Sequence, residues 1–135
     1  MENFKKRDVV EAILVSNKNE ILLQKKTIDY EFGPGEGCIF GGVIEEGETL
    51  EQALKREIKE ELGIEIKGYK LFEVADYQAK GYAGKRHVFV VNINKNISDI
   101  KITEGAGFAF FDKSELESLK IIKPCKESLK RCFGL

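Results

Sequence analysis

Three glutamates lie within five residues of a segment whose sequence predicts a helix. The segment REIKEELGI, residues 56–64, contains Glu57, Glu60 and Glu61. Like charges this close repel one another and weaken a helix unless something compensates them. Either the three side chains form a solvated acidic face, or they bind a divalent cation. Carboxylate oxygens suit Mg²⁺ or Mn²⁺ better than zinc.

The periodicity of this helix places its carboxylates beside the face that must be buried. At about 100° per residue, with Glu57 at zero, Glu61 falls near 40° and Glu60 near −60°. The adjoining apolar stripe consists of Leu54, Ile58 and Leu62. Carboxylates at the edge of a core are costly to desolvate unless a cation compensates them. This placement makes a metal site as good an interpretation as a solvated acidic face.

A glycine-rich stretch precedes the helix and suggests what such a metal would act on. The run GPGEGCIFGG, residues 33–42, has five glycines in ten residues. Glycines at this density are typical of a loop whose backbone must approach another group closely. A metal-binding carboxylate cluster beside such a loop indicates phosphate chemistry, with the metal neutralising phosphate oxygens.

The residues from Gly42 to Ile64, GVIEEGETLEQALKREIKEELGI, are similar to the Nudix box. That motif is Gly, five residues, Glu, seven residues, then Arg-Glu-apolar-x-Glu-Glu-x-Gly-apolar. All of its specified positions are present, and a match of this length is far more specific than a short glycine motif. The matching residues are Gly42, Glu48, Arg56, Glu57, Ile58, Glu60, Glu61, Gly63 and Ile64.

The resemblance implies a fold and an activity. The expected fold is an α/β/α sandwich around a mixed β-sheet. The expected reaction is Mg²⁺- or Mn²⁺-dependent attack of water on a phosphorus of a nucleoside diphosphate linked to another group. A nucleoside triphosphate, oxidised forms included, is the expected substrate because the chain shows no added substrate domain. The alternative is a nucleotide-binding module that keeps the fold without turnover, although such a module has no need of an intact carboxylate set.

The resemblance also assigns roles to particular residues. It gives the metal to Glu57, Glu60 and Glu61, together with a backbone carbonyl of Gly41 or Gly42. Glu57 or Glu60 would also activate water. Glu104, in the sequence ITEGAG, is a further candidate for the base, because some members of the family carry an acidic residue in such a loop.

Candidate substrate-binding residues are Arg56, Phe40, Tyr82 and Lys26. Arg56 is also expected to buttress the box by pairing with Glu48. Phe40 stands where the family usually has proline, and it could stack on a base or simply pack. Tyr82 has the same two alternatives. Lys26 lies at the end of a strand that ends in arginine in many members, so a bidentate phosphate contact is lost there.

Composition predicts one globular domain over residues 1–135. Hydrophobic residues make up 42% and charged residues 33%, and the net charge is −1, which gives no basis for polynucleotide binding. No apolar run is long enough for a membrane span. The three cysteines have no CxxC spacing, which favours a reducing cytoplasm. A monomer or homodimer is expected.

The expected elements position the box between strands. Strands are predicted over residues 9–15 and 20–26, joined as a hairpin, and then over residues 64–78, 85–95 and 107–111. A capping box of Thr49 and Gln52 predicts the start of the helix, and Gly63 its end. Two short helices are predicted over residues 113–119 and 125–133.

Overall fold

A computed structural model describes residues 3–25, 36–79, 81–93 and 107–135. These residues form eight strands, two α-helices and one short 3₁₀ turn. In chain order the elements are β1 (Lys5–Lys6), β2 (Val9–Ser16), β3 (Glu20–Lys25), β4 (Gly37–Cys38), β5 (Phe40–Val43), α1 (Leu50–Leu62), β6 (Gly68–Ala79), β7 (Tyr82–Ile93), β8 (Gly107–Asp112), the 3₁₀ turn (Lys113–Glu115) and α2 (Lys123–Phe133).

The strands form one mixed sheet with β2 at its centre. β2 pairs in parallel with β7 along its whole length and antiparallel with β5 and β3 at its two ends. On one side β7 continues antiparallel to β6, and on the other β3 pairs antiparallel with β8 and β4. The pairing of β2 with β5 sets Val10 opposite Gly42 and Glu11 opposite Gly41. The glycines of the box are therefore held within the sheet.

Each face of the sheet is covered by one helix, because β2 alternates its side chains between two cores. Val10, Ala12 and Leu14 belong to the core under α1. Ile13 and Val15 belong to the core under α2. Successive strand residues point to opposite faces, so this alternation gives three layers. The expected α/β/α sandwich with a mixed sheet is confirmed.

The boundaries of α1 agree with the capping signals in the sequence. The Thr49 hydroxyl accepts the N–H of Gln52 at 3.1 Å, and the Gln52 side chain accepts the N–H of Thr49 at 2.9 Å. Gly63 ends the helix with a φ of 71°, a left-handed conformation that glycine adopts without steric cost. The box glutamates are thus held on a helix that is fixed at both ends.

Three expectations about other elements are corrected. Residues 64–67 are not part of β6, because Ile64 and Ile66 alternate into the core without strand pairing. The strand expected to begin at residue 85 already begins at Tyr82, directly after Gly81, whose φ is 83°. The helix expected over residues 113–119 is only a capped 3₁₀ turn, which is followed by the buried Leu116.

A polar network between the sheet and α2 fixes the second helix. Arg86 of β7 donates to Glu11 of β2 at 2.5 Å and to the Ser128 hydroxyl of α2 at 3.1 Å. Ser128 donates in turn to Glu73 of β6 at 2.9 Å. Arg131 binds both oxygens of Glu73, and this hydrogen bonding holds the pKa of the Glu73 carboxyl below its usual range. Arg86 and Glu11 are charged and largely shielded from water, so they need such partners.

Replacing Glu11 with Gln is expected to lower the free energy of unfolding by about 1–3 kcal/mol, because the Arg86 guanidinium would keep only a neutral partner in a buried position. Arg86 exposes 8% of its side chain, so water cannot replace the lost charge. Urea denaturation measures the change. Asp76→Asn, which breaks the exposed Lys85–Asp76 pair, is the control and should change stability much less. Equal losses in the two variants would contradict the importance of burial here.

Among the residues that the structure describes, no helix is both long and apolar enough to cross a lipid bilayer.

Candidate active site

Glu57 of α1 lies directly against the glycine pair of β5. Its carboxylate occupies the position that a Cβ on Gly42 would take. The same carboxylate accepts a hydrogen bond from Arg56 at 2.8 Å and exposes only 15% of its side chain. Gly42 is therefore required for close approach between the strand backbone and this carboxylate, as the glycine-rich sequence suggests.

Glu61 approaches the same glycine pair one helical turn further along. Its carboxylate accepts the backbone N–H of Gly41 at 3.3 Å and lies 3.5 Å from the side-chain nitrogen of Gln24. Glu61 is buried, with 7% of its surface exposed. A carboxylate kept at such burial indicates a role beyond solubility, since burying an ionised group is costly.

Glu60 differs from the other two because 59% of its side chain is exposed. Its carboxylate lies 3.4 Å from Arg56. Among the described residues, no three acidic, histidine or cysteine side chains are gathered closely enough to form a ready metal site. The three glutamates are thus on one side of α1 as expected, but Glu57 and Glu61 converge on β5 while Glu60 faces outward. Their hard oxygen donors fit a divalent cation.

Arg56 links the turn before α1 to the helix itself. It binds both oxygens of Glu48, at 2.7 and 2.9 Å, and donates to the Val43 carbonyl at 2.9 Å. The hydrogen bond from Arg56, followed by one from the Glu45 backbone, lowers the pKa of Glu48 to about 2. The expected buttress between Arg56 and Glu48 is present. Because its donors are engaged by the protein, Arg56 positions Glu57 and the turn. Its predicted contact with substrate stays a prediction.

A cavity of about 320 Å³ opens on the α2 side of the glycine pair. Its wall includes both Gly41 and Gly42, the alternate residues Arg7, Val9 and Glu11, and Cys125 and Pro124 from α2. A second cavity, of about 370 Å³ between β3 and β8, is not lined by α1 or β5. Of these two cavities, the 320 Å³ one adjoins the box glycines and, through them, Glu57 and Glu61.

The two aromatic residues predicted to bind substrate lie in different environments. Phe40 is completely buried in the core under α1, so its expected stacking on a base is wrong and its packing role holds. Tyr82 instead lies 3.7 Å from the Arg7 guanidinium, measured from the ring centre. Lys26 and Glu104 lie outside the described residues, so the predictions for them stay predictions.

Sequence reasoning missed Arg7, Glu11 and Arg86 as residues of the site. The available signal was the period of two along the chain before and within β2, which puts residues 7, 9 and 11 on one face. Nothing in the sequence indicates that a cavity lies under this face.

Substituting alanine at the two glycines is expected to have different effects. Gly42→Ala should lower kcat at least tenfold with the smaller loss of stability, because the new methyl group displaces the end of a side chain, the Glu57 carboxylate, and not backbone. Gly41→Ala should lower the melting temperature, because its methyl group meets rigid backbone at Val10 and at Glu11, whose Cα would be 2.9 Å away. Thermal melts and steady-state kinetics of both variants test this. A stable, fully active Gly42→Ala protein would contradict the placement of Glu57.

The fold and box define the class of protein. The profile of the NUDIX domain matches residues 5–130. The chain therefore belongs to the Nudix hydrolase superfamily, as the box predicts.

Several known Nudix proteins are similar to this chain in sequence or in structure. The nucleoside triphosphatase NudI of Enterobacter sp. (strain 638) is 41% identical over 73 residues, which are 52% of this chain and 52% of that protein. This chain thus spans about half the length of that relative. The MutT protein of Methanosarcina mazei Go1 has a similar fold, with a TM-score of 0.83 at 17% identity, covering 97% of this chain and 94% of that one. The NUDIX domain of Shewanella oneidensis NrtR, solved with ADP ribose, has a TM-score of 0.80 at 14% identity, covering 96% and 88%.

Proposed function

We propose that this protein is a metal-dependent pyrophosphohydrolase that cleaves nucleoside triphosphates by attack of water on phosphorus. The observation that carries the proposal is the convergence of Glu57 and Glu61 on Gly41 and Gly42, which also line the 320 Å³ cavity. Glu61, which is buried, and Glu57, which is largely shielded, offer metal ligands on one side of β5, and the cavity on the other side offers room for a nucleoside. The name of the NudI relative, a nucleoside triphosphatase, supports the same substrate class.

The box glutamates would hold Mg²⁺ or Mn²⁺. Glu57, Glu60 and Glu61 would supply carboxylate ligands, and Gly41 or Gly42 a backbone carbonyl. When bound, the ion neutralises phosphate oxygens and so stabilises charge that develops during the displacement.

The remaining residues of the site orient the carboxylates and bind the substrate. Arg56 holds Glu57 and the turn at Glu48 in fixed positions, so the carboxylate needs little rearrangement during the reaction. The cavity between β2, β6 and α2 takes the nucleoside and leaves the phosphates beside the glycine pair. Glu57, Glu60 and Glu104 are the candidates for the group that takes the proton from the attacking water.

A nucleotide screen tests the proposal. Purified protein is incubated with each of the common nucleoside triphosphates, with ADP ribose and with dinucleoside polyphosphates, in Mg²⁺, in Mn²⁺ and in EDTA. We expect metal-dependent release of pyrophosphate or phosphate from triphosphates, and none in EDTA. If ADP ribose alone were hydrolysed, nucleoside triphosphates would be the wrong substrate class. Nucleotide binding without turnover under every metal condition would favour the non-catalytic binding module instead.

A further inference from the structure

Arg7 is fixed at the mouth of the 320 Å³ cavity by its backbone. Its N–H donates to the Ala83 carbonyl at 3.0 Å, and its own carbonyl accepts the Tyr77 hydroxyl. Gly84 packs so closely on the Arg7 carbonyl that a Cβ there would collide with it. The β6–β7 hairpin therefore fixes the backbone position of Arg7 before any ligand binds.

The side chain of Arg7 is also oriented. Its guanidinium carbon lies 3.7 Å from the centre of the Tyr82 ring, which is the geometry of a cation–π stack. Stacking uses the flat face of the guanidinium and leaves its N–H donors directed outward in the plane. Arg7 is among the residues that line the cavity. The stack therefore presents a row of donors at the cavity wall.

The donors of Arg7 differ in their access to the cavity. Within the described part of the chain, Nε of Arg7 is buried and has no hydrogen-bond partner. Arg86, the other arginine of the cavity, is by contrast committed to Glu11 and Ser128. Because Nε is too deeply buried for a ligand to reach it, the donors that Arg7 can offer to the cavity are its terminal Nη1 and Nη2 groups. With Arg86 committed to the protein, Arg7 is the cavity arginine that can donate to something that enters.

The position of Arg7 separates it from the phosphate end of the cavity. Gly42 is paired with Val10, three residues along the chain, and a strand advances about 3.3 Å per residue, so Arg7 lies roughly 10 Å from the glycine pair. A ribose can bridge this spacing. A nucleotide whose phosphates lie at Gly41 and Gly42 would therefore bring its base to Arg7.

We propose that Arg7, held by Tyr82, is a specificity-determining residue that selects keto nucleobases over amino nucleobases. This inference rests on the proposed nucleotide substrate and names the base it takes. An arginine only donates hydrogen bonds, so it pairs with the exocyclic oxygen that distinguishes uracil from cytosine or hypoxanthine from adenine. An exocyclic amino group at the same place would leave donor facing donor, which a buried site strongly disfavours.

The experiment compares kcat/KM for two matched pairs of substrates, UTP with CTP and ITP with ATP. In the pair whose bases fit the cavity, kcat/KM of the wild-type protein should be about tenfold or more higher for the nucleotide with the keto base. Arg7→Met should bring that ratio to within about threefold. Arg7→Lys keeps the charge but loses the planar fork, and should narrow the ratio as well. Since Arg7→Lys preserves charge and length, it also covers the case in which Arg7→Met fails to fold.

Two further variants complete the design. Lys6→Met removes a neighbouring positive charge from exposed β1, outside the cavity wall, and should keep the wild-type ratio. Tyr82→Phe keeps the stacked ring and should keep the ratio, whereas Tyr82→Leu should narrow it. A purely structural effect of these positions would change melting temperature and the rates for all four nucleotides alike, without moving the ratio.

The outcomes separate this inference from the proposed function. Triphosphate hydrolysis without a keto preference, or with a preference that survives in both Arg7 variants, overturns the role of Arg7 alone. An equal loss for all four nucleotides also overturns it, because Arg7 would then contact the phosphates or ribose they share. If no triphosphate is hydrolysed, the proposed function fails, and the Kd values of the same four nucleotides decide the base preference separately.

Discussion

Glu61→Gln is expected to lower kcat by about 10²-fold or more, because charge placed where the transition state develops charge is the largest single contribution to catalysis. Glutamine has the same shape and keeps an oxygen that can accept the N–H of Gly41, so the contact between α1 and β5 survives. What is lost is one negative charge of the proposed metal site. The measurement is steady-state kinetics on the best triphosphate at saturating Mg²⁺, with a thermal melt of the same sample.

Glu65→Gln is the matched control for this variant. Glu65 is exposed just beyond the end of α1, so its replacement removes the same charge without touching the site. We expect wild-type kinetics for Glu65→Gln. If Glu61→Gln turned over within about twofold of wild type, the assignment of Glu61 to the metal would be wrong. A large fall in melting temperature would instead show that Glu61 mainly stabilises the buried contact with Gly41.

Local signals were sufficient to predict the helix that carries the site. Thr49, Gln52 and Gly63 mark the ends of α1 through hydrogen bonds and a backbone angle that depend on residues close in sequence. The edges of β6 and β7 could not be predicted in the same way. Ile64 and Ile66 have the alternation of a strand, but their burial comes from packing against the core and not from pairing with another strand. Periodicity reports burial, and pairing requires a partner that is distant in sequence.

The arrangement of the box residues could be predicted from the sequence, and the wall of the neighbouring cavity could not. The box glutamates and Gly42 lie within a short segment, so their spacing alone predicts which of them share a side. The cavity wall joins Arg7 to Ala83 and Tyr77, and Glu11 to Arg86, across more than 65 residues of chain. No local pattern encodes such contacts, because they depend on the order of strands in the sheet.

Phe40 shows how the same limit produces a wrong assignment. Its place beside the glycine pair suggested a residue that faces substrate, yet strand alternation turns it toward α1 and Gly41 toward the cavity. Tyr82 shows the converse, because its ring, a candidate for contact with substrate, instead contacts the guanidinium of Arg7. Both residues were candidates for substrate contact because they are aromatic. Only the direction of each side chain distinguishes packing in the core from contact with a ligand.

Three single variants, Glu57→Gln, Glu60→Gln and Glu104→Gln, are expected to identify the group that activates water. Removing a general base should lower kcat by about 10²–10⁴-fold with little change in KM. Glu60 has the structural advantage of an exposed carboxylate that water can reach, whereas Glu57 is held by Arg56. Glu104 has a chemical one, since a base outside the helix need not also bind metal.

Metal dependence distinguishes loss of a base from loss of a ligand. A variant that has lost a metal ligand should recover much of its activity as Mn²⁺ is raised, because mass action refills a weakened site. A variant that has lost the base should stay slow at every metal concentration, since no ion supplies the missing proton acceptor. We expect one of the three variants to behave in this second way. If all three stayed within about threefold of wild type at saturating metal, the proton acceptor would have to be a group other than these glutamates.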